Sequence, residues 1–104
     1  MINILNQLVV VGRVQEVEIS EEFIDGQYRN FIELKVPRNF KNAFGKYETD
    51  YIKVEVIGPG MRQALDMIKA EDLIGIKARV VSESDSDTIN IVAEKITLLK
   101  SASK

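Results

Sequence analysis

Aromatic and basic side chains are interleaved in the middle of this chain, between residues 35 and 53. Four of the seven aromatic residues of the chain lie in this segment: Phe40, Phe44, Tyr47 and Tyr51. So do five basic residues: Lys35, Arg38, Lys41, Lys46 and Lys53. Aromatic rings give flat platforms on which unpaired bases stack, each worth about 1–3 kcal/mol, while cations contact phosphates whatever the base sequence. The pattern therefore predicts a surface for single-stranded nucleic acid.

The distribution of charge supports this interpretation better than the net charge of -2 does. Residues 35–53 contain five basic residues against only Glu48 and Asp50, so the segment carries +3 and the remainder of the chain -5. Acidic residues without intervening bases are concentrated in residues 16–25 and 83–87. A segregated charge distribution orients a polyanion towards one face and repels it from others, so an acidic protein can still bind nucleic acid.

The composition excludes several classes of protein. At 104 residues and 45% hydrophobic content, the chain is predicted to form one nucleic-acid-binding domain over residues 1–100 with a short disordered tail over 101–104. It has no cysteine and no histidine, which excludes disulfides, thiolate or imidazole metal sites and catalytic triads with an imidazole base. We therefore expect a binding protein and not an enzyme, with no cofactor, metal or small-molecule substrate. No apolar run could span a bilayer and residues 1–7 lack a basic signal region, so the expected location is cytoplasmic, without membrane contact.

Two segments with strict alternation of side chains, residues 31–36 and 51–57, are predicted to be strands. Their even-numbered residues would face the core. The outward-facing residues would be Phe31, Glu33, Lys35, Tyr51, Lys53, Glu55 and Ile57. The stretch between the two segments is polar and contains a glycine, which indicates a long hairpin tip.

The remaining elements complete the order of a known fold. Residues 8–14 are rich in β-branched side chains and interrupted by Gly12, which suits a strand with a bend or bulge. After a Gly-Pro-Gly breaker, apolar residues at helical spacing predict one helix of about three turns: Met61, Ala64, Leu65 and Ile68. Residues 73–81 and 88–99 are predicted strands around a polar turn. Three strands, a helix and two strands is the order of the all-β OB-fold, a five-stranded Greek-key barrel with one short helix between strands 3 and 4.

Three segments resemble the bacterial single-stranded DNA-binding protein (SSB) family. Residues 6–14, Asn-Gln-Leu-Val-Val-Val-Gly-Arg-Val, are similar to that family's opening Asn-x-Val-x-Leu-Val-Gly-Arg-Leu. Residues 40–52, Phe-Lys-Asn-Ala-Phe-Gly-Lys-Tyr-Glu-Thr-Asp-Tyr-Ile, resemble its second hairpin, and residues 92–99 resemble its last strand. The resemblance covers nearly the whole chain. It implies binding of single-stranded DNA with little sequence preference, in replication, recombination or repair, by a homotetramer or homodimer joined partly through first strands.

The resemblance also implies roles for individual residues. Phe40 and Tyr51 occupy positions where the family has base-stacking aromatics, and Ile57 occupies a third such position without a ring. The fourth position falls in residues 82–85, where the family's long basic hairpin is replaced by an acidic turn. The chain ends at Lys104 without the family's flexible linker and acidic tip, so it is either a trimmed form or a tailless relative, for which the dimeric PriB-type proteins are a precedent.

Alternatives stay open for several of these residues. Phe40, Phe44 and Tyr47 could pack on the barrel or on a neighbouring subunit, and the basic residues could form an ordinary solvated face. Arg13, at a strand end near the expected groove, could contact phosphate or form a surface ion pair. Glu33 and Glu55 would oppose binding by repulsion, which leaves a second hypothesis: an OB-fold protein-interaction subunit of a replication or conjugation complex with weak or no DNA binding. RNA is a further candidate ligand, because stacking is indifferent to the sugar.

Overall fold

The described part of the chain is mostly strand, with one short helix. The structure, a computed structural model, describes residues 5–20, 23–24, 27–82 and 88–102. Its elements are β1 (Leu8–Glu18), β2 (Phe23–Ile24), β3 (Gln27–Lys41), β4 (Tyr47–Ile57), α1 (Pro59–Asp66), β5 (Leu73–Ser82) and β6 (Ile89–Lys100). The acidic turn predicted after β5 lies in residues 83–87, outside the described residues. Among the described helices, none is long and apolar enough to cross a membrane.

Five long strands close into a barrel. The strand order is β1-β5-β6-β4-β3-β2, and β1 also pairs with β3, which closes the sheet on itself. β1 changes partner along its length, since residues 8–13 pair with β5 and residues 13–18 pair with β3. The short β2 pairs only with the start of β3. The predicted OB-fold, with its helix between the third and fourth long strands, is confirmed.

The bend in β1 depends on Gly12. A Cβ atom at this position would lie 2.6 Å from the carbonyl oxygen of Lys35 and 2.9 Å from Cγ2 of Val36, both on β3. A residue without a side chain is needed here because β1 approaches β3 closely where it exchanges one partner for the other. A β-bulge follows between Val14 and Glu16 and adds curvature. The bend predicted from the glycine is therefore accompanied by a bulge a few residues later.

The alternation of β3 and β4 places their even-numbered side chains in the core. Those buried or partly buried there are Ile32, Leu34, Val36, Ile52, Val54 and Val56. This apolar face specifies the register in which Leu34 faces Ile52 and Lys35 faces Tyr51. A slip by one residue would turn every core side chain towards solvent, so hydrophobic burial also decides which residues share the outer face.

Glu55 departs from the alternation. Sequence analysis placed it on the outward face, but it is only 4% exposed, and its neighbours Val54 and Val56 are also buried. Three consecutive residues of β4 are thus buried, so both faces of the strand are covered at this point. Arg29 donates from Nε at 3.2 Å and from Nη2 at 2.9 Å to the Glu55 carboxylate. The expectation that Glu55 would repel phosphate from the binding face was wrong, because its charge is buried and paired.

The helix is shorter than predicted. α1 spans eight residues, about two turns. Its chain then tightens: the amide of Met67 donates to the carbonyl of Ala64 at 3.2 Å, and that of Ile68 donates to Leu65 at 3.3 Å. These shorter-range bonds are of the 3₁₀ type and carry Ile68 into the core without a third α-helical turn.

The segment after the helix is fastened to β1 and β3. Glu71 has φ 72°, the left-handed region that favours glycine. Its amide donates to the carbonyl of Val14 at 2.8 Å, and its carboxylate pairs with Lys35. The next residue, Asp72, is buried and accepts hydrogen bonds from the amides of Ala102 at 2.8 Å and Lys69 at 3.0 Å, which lower its pKa. These contacts compensate for the strained backbone of Glu71.

Candidate nucleic-acid interface

The four aromatic rings between residues 40 and 51 are all exposed. The exposed fractions are 67% for Phe40, 86% for Phe44, 61% for Tyr47 and 60% for Tyr51. Within this chain, therefore, none of them packs into the barrel, which removes one alternative for Phe40, Phe44 and Tyr47. Three of the rings lie on residues 38–48, where nearly every residue is exposed. We call this segment the hairpin arm.

Asn42 organises the tip of the hairpin arm. Its side-chain oxygen accepts hydrogen bonds from the backbone amides of Phe44 at 2.8 Å and Lys46 at 3.0 Å. Its backbone amide donates to the carbonyl oxygen of Lys46 at 2.7 Å. Gly45 completes the turn with φ 75°. An asparagine that bonds to the amide two residues on is a turn former. The tip is thus a defined turn that presents Phe44 outward. Asn42 was absent from the sequence-based candidates, although an asparagine three residues before a glycine in a polar loop was an available signal.

Phe40 projects from a bulge in β3. Pro37 faces Thr49 and Lys41 faces Tyr47, so the three residues 38–40 oppose Glu48 alone. The extra residues interrupt the ladder and turn their side chains to the surface.

Arg38, in the same bulge, is held by two carboxylates. Its Nη1 lies 2.7 Å from Glu48 Oε2, and its Nη2 lies 2.9 Å from Asp50 Oδ1. A third bond runs from Nε to Asp50 Oδ2 at 3.2 Å. The hydrogen bond to Asp50 raises the pKa of Arg38 and lowers the pKa of Asp50. Arg38 is therefore paired with two carboxylates inside the chain, and the phosphate contact predicted for it would have to displace them.

A groove of about 410 Å³ brings together three of the predicted site residues, Arg13, Lys35 and Tyr51. Lys35 on β3 pairs directly with Tyr51 on β4 and with Arg13 on β1, so the register places all three residues side by side. The other residues that line the groove are Val11, Gly12, Pro37, Thr49 and Leu73. Its walls thus combine an exposed ring with cations, which suits a stacked base and its phosphate.

The cations of the groove have partners on the segment after α1. Lys35 Nζ pairs with the carboxylate of Glu71, and Arg13 Nη1 donates to the carbonyl oxygen of Glu71 at 3.1 Å. Lys35 thus forms a surface ion pair. Arg13, for which a surface ion pair was the alternative, contacts a backbone oxygen instead. Exposed pairs of this kind contribute only about 0–1 kcal/mol, so a phosphate can exchange with them.

The remaining lysines of the surface differ in how far they are engaged. Lys53 Nζ lies 3.2 Å from Glu18 and 4.9 Å from the centre of the Phe31 ring. Lys41 Nζ lies 5.8 Å from the centre of the Tyr47 ring. Among the described residues, Lys46 makes no ion pair and no ring contact through its side chain. Lys41 and Lys46, both on the hairpin arm, are thus available to phosphate without displacing a carboxylate.

Ile57 lies apart from the groove, at the far end of the outward face. It is half-buried and faces Arg29 across β3. Arg29 was absent from the sequence-based candidates because it precedes the aromatic and basic segment. Its odd-numbered position on β3 was the signal that could have placed it on this face.

Comparisons with known proteins identify the fold. No protein-family model matches the chain, and the search of curated proteins finds no match. Among solved structures, the wild-type single-stranded DNA binding protein from Thermus aquaticus matches with a TM-score of 0.72 at 19% identity, over 92% of this chain and 50% of that chain. A deletion mutant of that protein gives a TM-score of 0.66 at 20% identity, over 92% of this chain and 51% of that one.

The PriB protein from Thermoanaerobacter tencongensis provides a second type of match. The dimeric structure of its N-terminal domain gives a TM-score of 0.64 at 19% identity, over 90% of this chain and 96% of that one. The chain thus spans about half the length of the Thermus proteins and nearly all of the PriB domain. These matches show a shared fold, the same fold that the resemblance to the SSB family implied.

Proposed function

We propose that this protein binds single-stranded DNA with little sequence preference, by stacking bases on Tyr51 and Phe40. The observation that carries the proposal is the groove in which Tyr51 lies beside Lys35 and Arg13, on the same β3–β4 hairpin as the exposed rings of the hairpin arm. Phe44 and Tyr47 extend the aromatic surface. Ile57 offers an aliphatic contact at the far end of the outward face of β3 and β4. The proposed phosphate contacts are Arg13, Lys35, Lys41, Lys46 and Lys53.

The proposal is supported by the matching structures. The Thermus aquaticus protein is a single-stranded DNA binding protein, and the PriB domain is dimeric. By extension we propose a role in replication, recombination or repair for a homodimer or homotetramer of this chain, without catalysis. Val9 and Val11, exposed on β1, suit the contact between first strands that the SSB resemblance implies.

The test is a titration of fluorescently labelled oligo-dT, followed by anisotropy at several salt concentrations. Loss of one stacking platform should weaken binding by about 5- to 150-fold in Tyr51→Ala and in Phe40→Ala. Met67→Ala, which removes an exposed apolar side chain after α1, is the matched control and should bind like the wild type. Unchanged affinity in both aromatic variants would remove the stacking mechanism.

Salt dependence tests the phosphate contacts separately. Each cation that contacts phosphate contributes about -0.7 to the slope of log affinity against log salt, so the five proposed contacts predict a slope of about -3.5. A slope near zero would contradict these contacts. An oligo-U titration in parallel shows whether RNA binds equally well.

A protein-interaction role is the second candidate, and the pairing of the cations favours it. Arg38, Lys35 and Lys53 are each engaged by a carboxylate of this chain, which reduces the positive potential of the surface. Recovery of one defined protein partner, together with no detectable binding of oligo-dT or oligo-U at low salt, would establish this function in place of strand binding.

A further inference from the structure

We infer that Arg38 is a positioning residue that holds the hairpin arm in its binding shape, and that it is not a phosphate ligand. This inference rests on the proposed function. Its first support is the position of Arg38 in the bulge, two residues before Phe40, where β3 has three residues opposite Glu48 alone. A bulge of this kind leaves backbone unpaired, so side-chain contacts must hold its shape.

The contacts of Arg38 join the bulge in β3 to the opposite strand, at the break in the ladder and one residue beyond the last pair before it. Thr49 is the last β4 residue paired before the break, and Glu48 and Asp50 flank it. Arg38 reaches from β3 to both carboxylates, with a two-pronged contact to Asp50. A planar guanidinium that grips two acids on the opposite strand restricts how far the strands can separate.

The same network continues to the tip. Glu48 also accepts a hydrogen bond from Nδ2 of Asn42 at 3.1 Å. The Asn42 side-chain oxygen in turn accepts hydrogen bonds from the backbone amides of Phe44 and Lys46. Arg38 is therefore connected through Glu48 and Asn42 to the turn that presents Phe44. An arm ordered before binding loses less conformational entropy when the strand arrives.

The local charge argues against a phosphate contact by Arg38. With Glu48 and Asp50 ionised, the three side chains together carry a charge of -1. A phosphate would have to displace two carboxylates from the guanidinium and then lie beside both. The ammonium group of Lys46, on the same arm, has no ion-pair partner among the described residues and meets no such competition.

The salt dependence of oligo-dT binding distinguishes the two roles. Arg38→Gln removes the charge and the grip, Arg38→Lys keeps the charge but loses the planar fork, and Lys46→Gln removes a proposed phosphate contact. We expect both Arg38 variants to bind about 2- to 10-fold more weakly, the cost of ordering one side chain on binding, with the wild-type salt slope. Lys46→Gln should reduce the slope by about 0.7. Wild-type affinity in Arg38→Lys, with a slope reduced by about 0.7 in Arg38→Gln, would overturn the inference.

Amide hydrogen exchange of the free protein provides a readout that does not depend on the strand. In Arg38→Gln, exchange at the amides of Phe44 and Lys46 should accelerate, because the network that holds Asn42 is broken, while exchange in β5 should stay as in the wild type. Unchanged exchange at both tip amides would overturn the positioning role. A wild-type protein that fails to bind oligo-dT at low salt would instead refute the proposed function.

Discussion

The two halves of the β3–β4 hairpin are stabilised by different interactions. In the barrel half, Ile32, Leu34 and Val54 are fully buried, and apolar burial specifies the register. In the hairpin arm nearly every side chain is exposed, and the shape depends on the contacts of Arg38 and Asn42. The comparison indicates that the barrel sets which residues share a face, whereas polar contacts set how the rings of the arm are presented. Substitutions of buried residues in the barrel half should therefore reduce stability, and those in the arm should mainly alter binding.

The largest expected effect is that of Leu34→Ala. Leu34 is fully buried and packs in the core next to the strand β1, so truncation leaves a cavity and should reduce the free energy of unfolding by about 2–5 kcal/mol. Urea denaturation followed by circular dichroism measures it. Ile89→Ala, on an exposed position of β6, is the control and should change stability by less than about 0.5 kcal/mol. A loss below about 1 kcal/mol for Leu34→Ala would show that this half is not held by burial.

Gly12→Ala should have the next largest effect. The added Cβ would meet the Lys35 carbonyl at 2.6 Å, and backbone must move to relieve the contact, at a cost of about 1–3 kcal/mol. Gly75→Ala is a matched control on the neighbouring strand, because its Cβ would meet only side-chain atoms at 3.6 and 3.8 Å. Equal stabilities of the two variants by urea denaturation would show that the close approach of β1 and β3 is not required.

A smaller effect should appear in the pH dependence of stability. Amides of Ala102 and Lys69 lower the pKa of Asp72, so its ionised form favours the folded state. This contribution is present above the pKa of an unfolded aspartate, about 3.9, and is lost as pH falls through the lower folded pKa. Between about pH 5 and about pH 2, the Tm of the wild type should fall more steeply than that of Asp72→Asn.

Asp66→Asn, which removes an exposed carboxylate from α1, is the control for this pH series. It should follow the wild-type profile in thermal unfolding monitored by circular dichroism. Parallel profiles for the wild type and Asp72→Asn would show that the segment after α1 is not stabilised by the charge of Asp72.

The smallest effect on stability is expected for Asn42→Ala. Its hydrogen bonds lie at an exposed tip, where water replaces them, so the free energy of unfolding should change by less than about 1 kcal/mol. Affinity for oligo-dT should nevertheless fall, because the turn that presents Phe44 is no longer held. Asn39→Ala, another exposed asparagine of the arm, is the control. A large loss of stability with unchanged affinity would reverse the comparison between the two halves.

Local patterns predicted much of the fold because they depend on neighbouring residues. Alternation predicted the strands and their buried faces, and Gly12 indicated the bend in β1. The alternation rule failed at Glu55, because both faces of β4 are covered there and strand alternation assumes one covered face. The spacing of the helix likewise predicted the burial of Ile68 but not that a 3₁₀-type turn would provide it.

The sequence by itself determined the five-strand barrel and the buried faces of β3 and β4, because hydrophobic periodicity and turn residues act locally. The exposure of Phe40, Phe44 and Tyr47, which the sequence left open, was decided by the structure. Only the tertiary structure decided which cations are free. Lys35 pairs with Glu71, which is 36 residues away in the sequence, and Lys53 pairs with Glu18, which is 35 residues away. No local pattern encodes such a pairing. Ion pairs form wherever the closed barrel brings opposite charges together, so the number of basic residues was known from the sequence and their availability to phosphate was not.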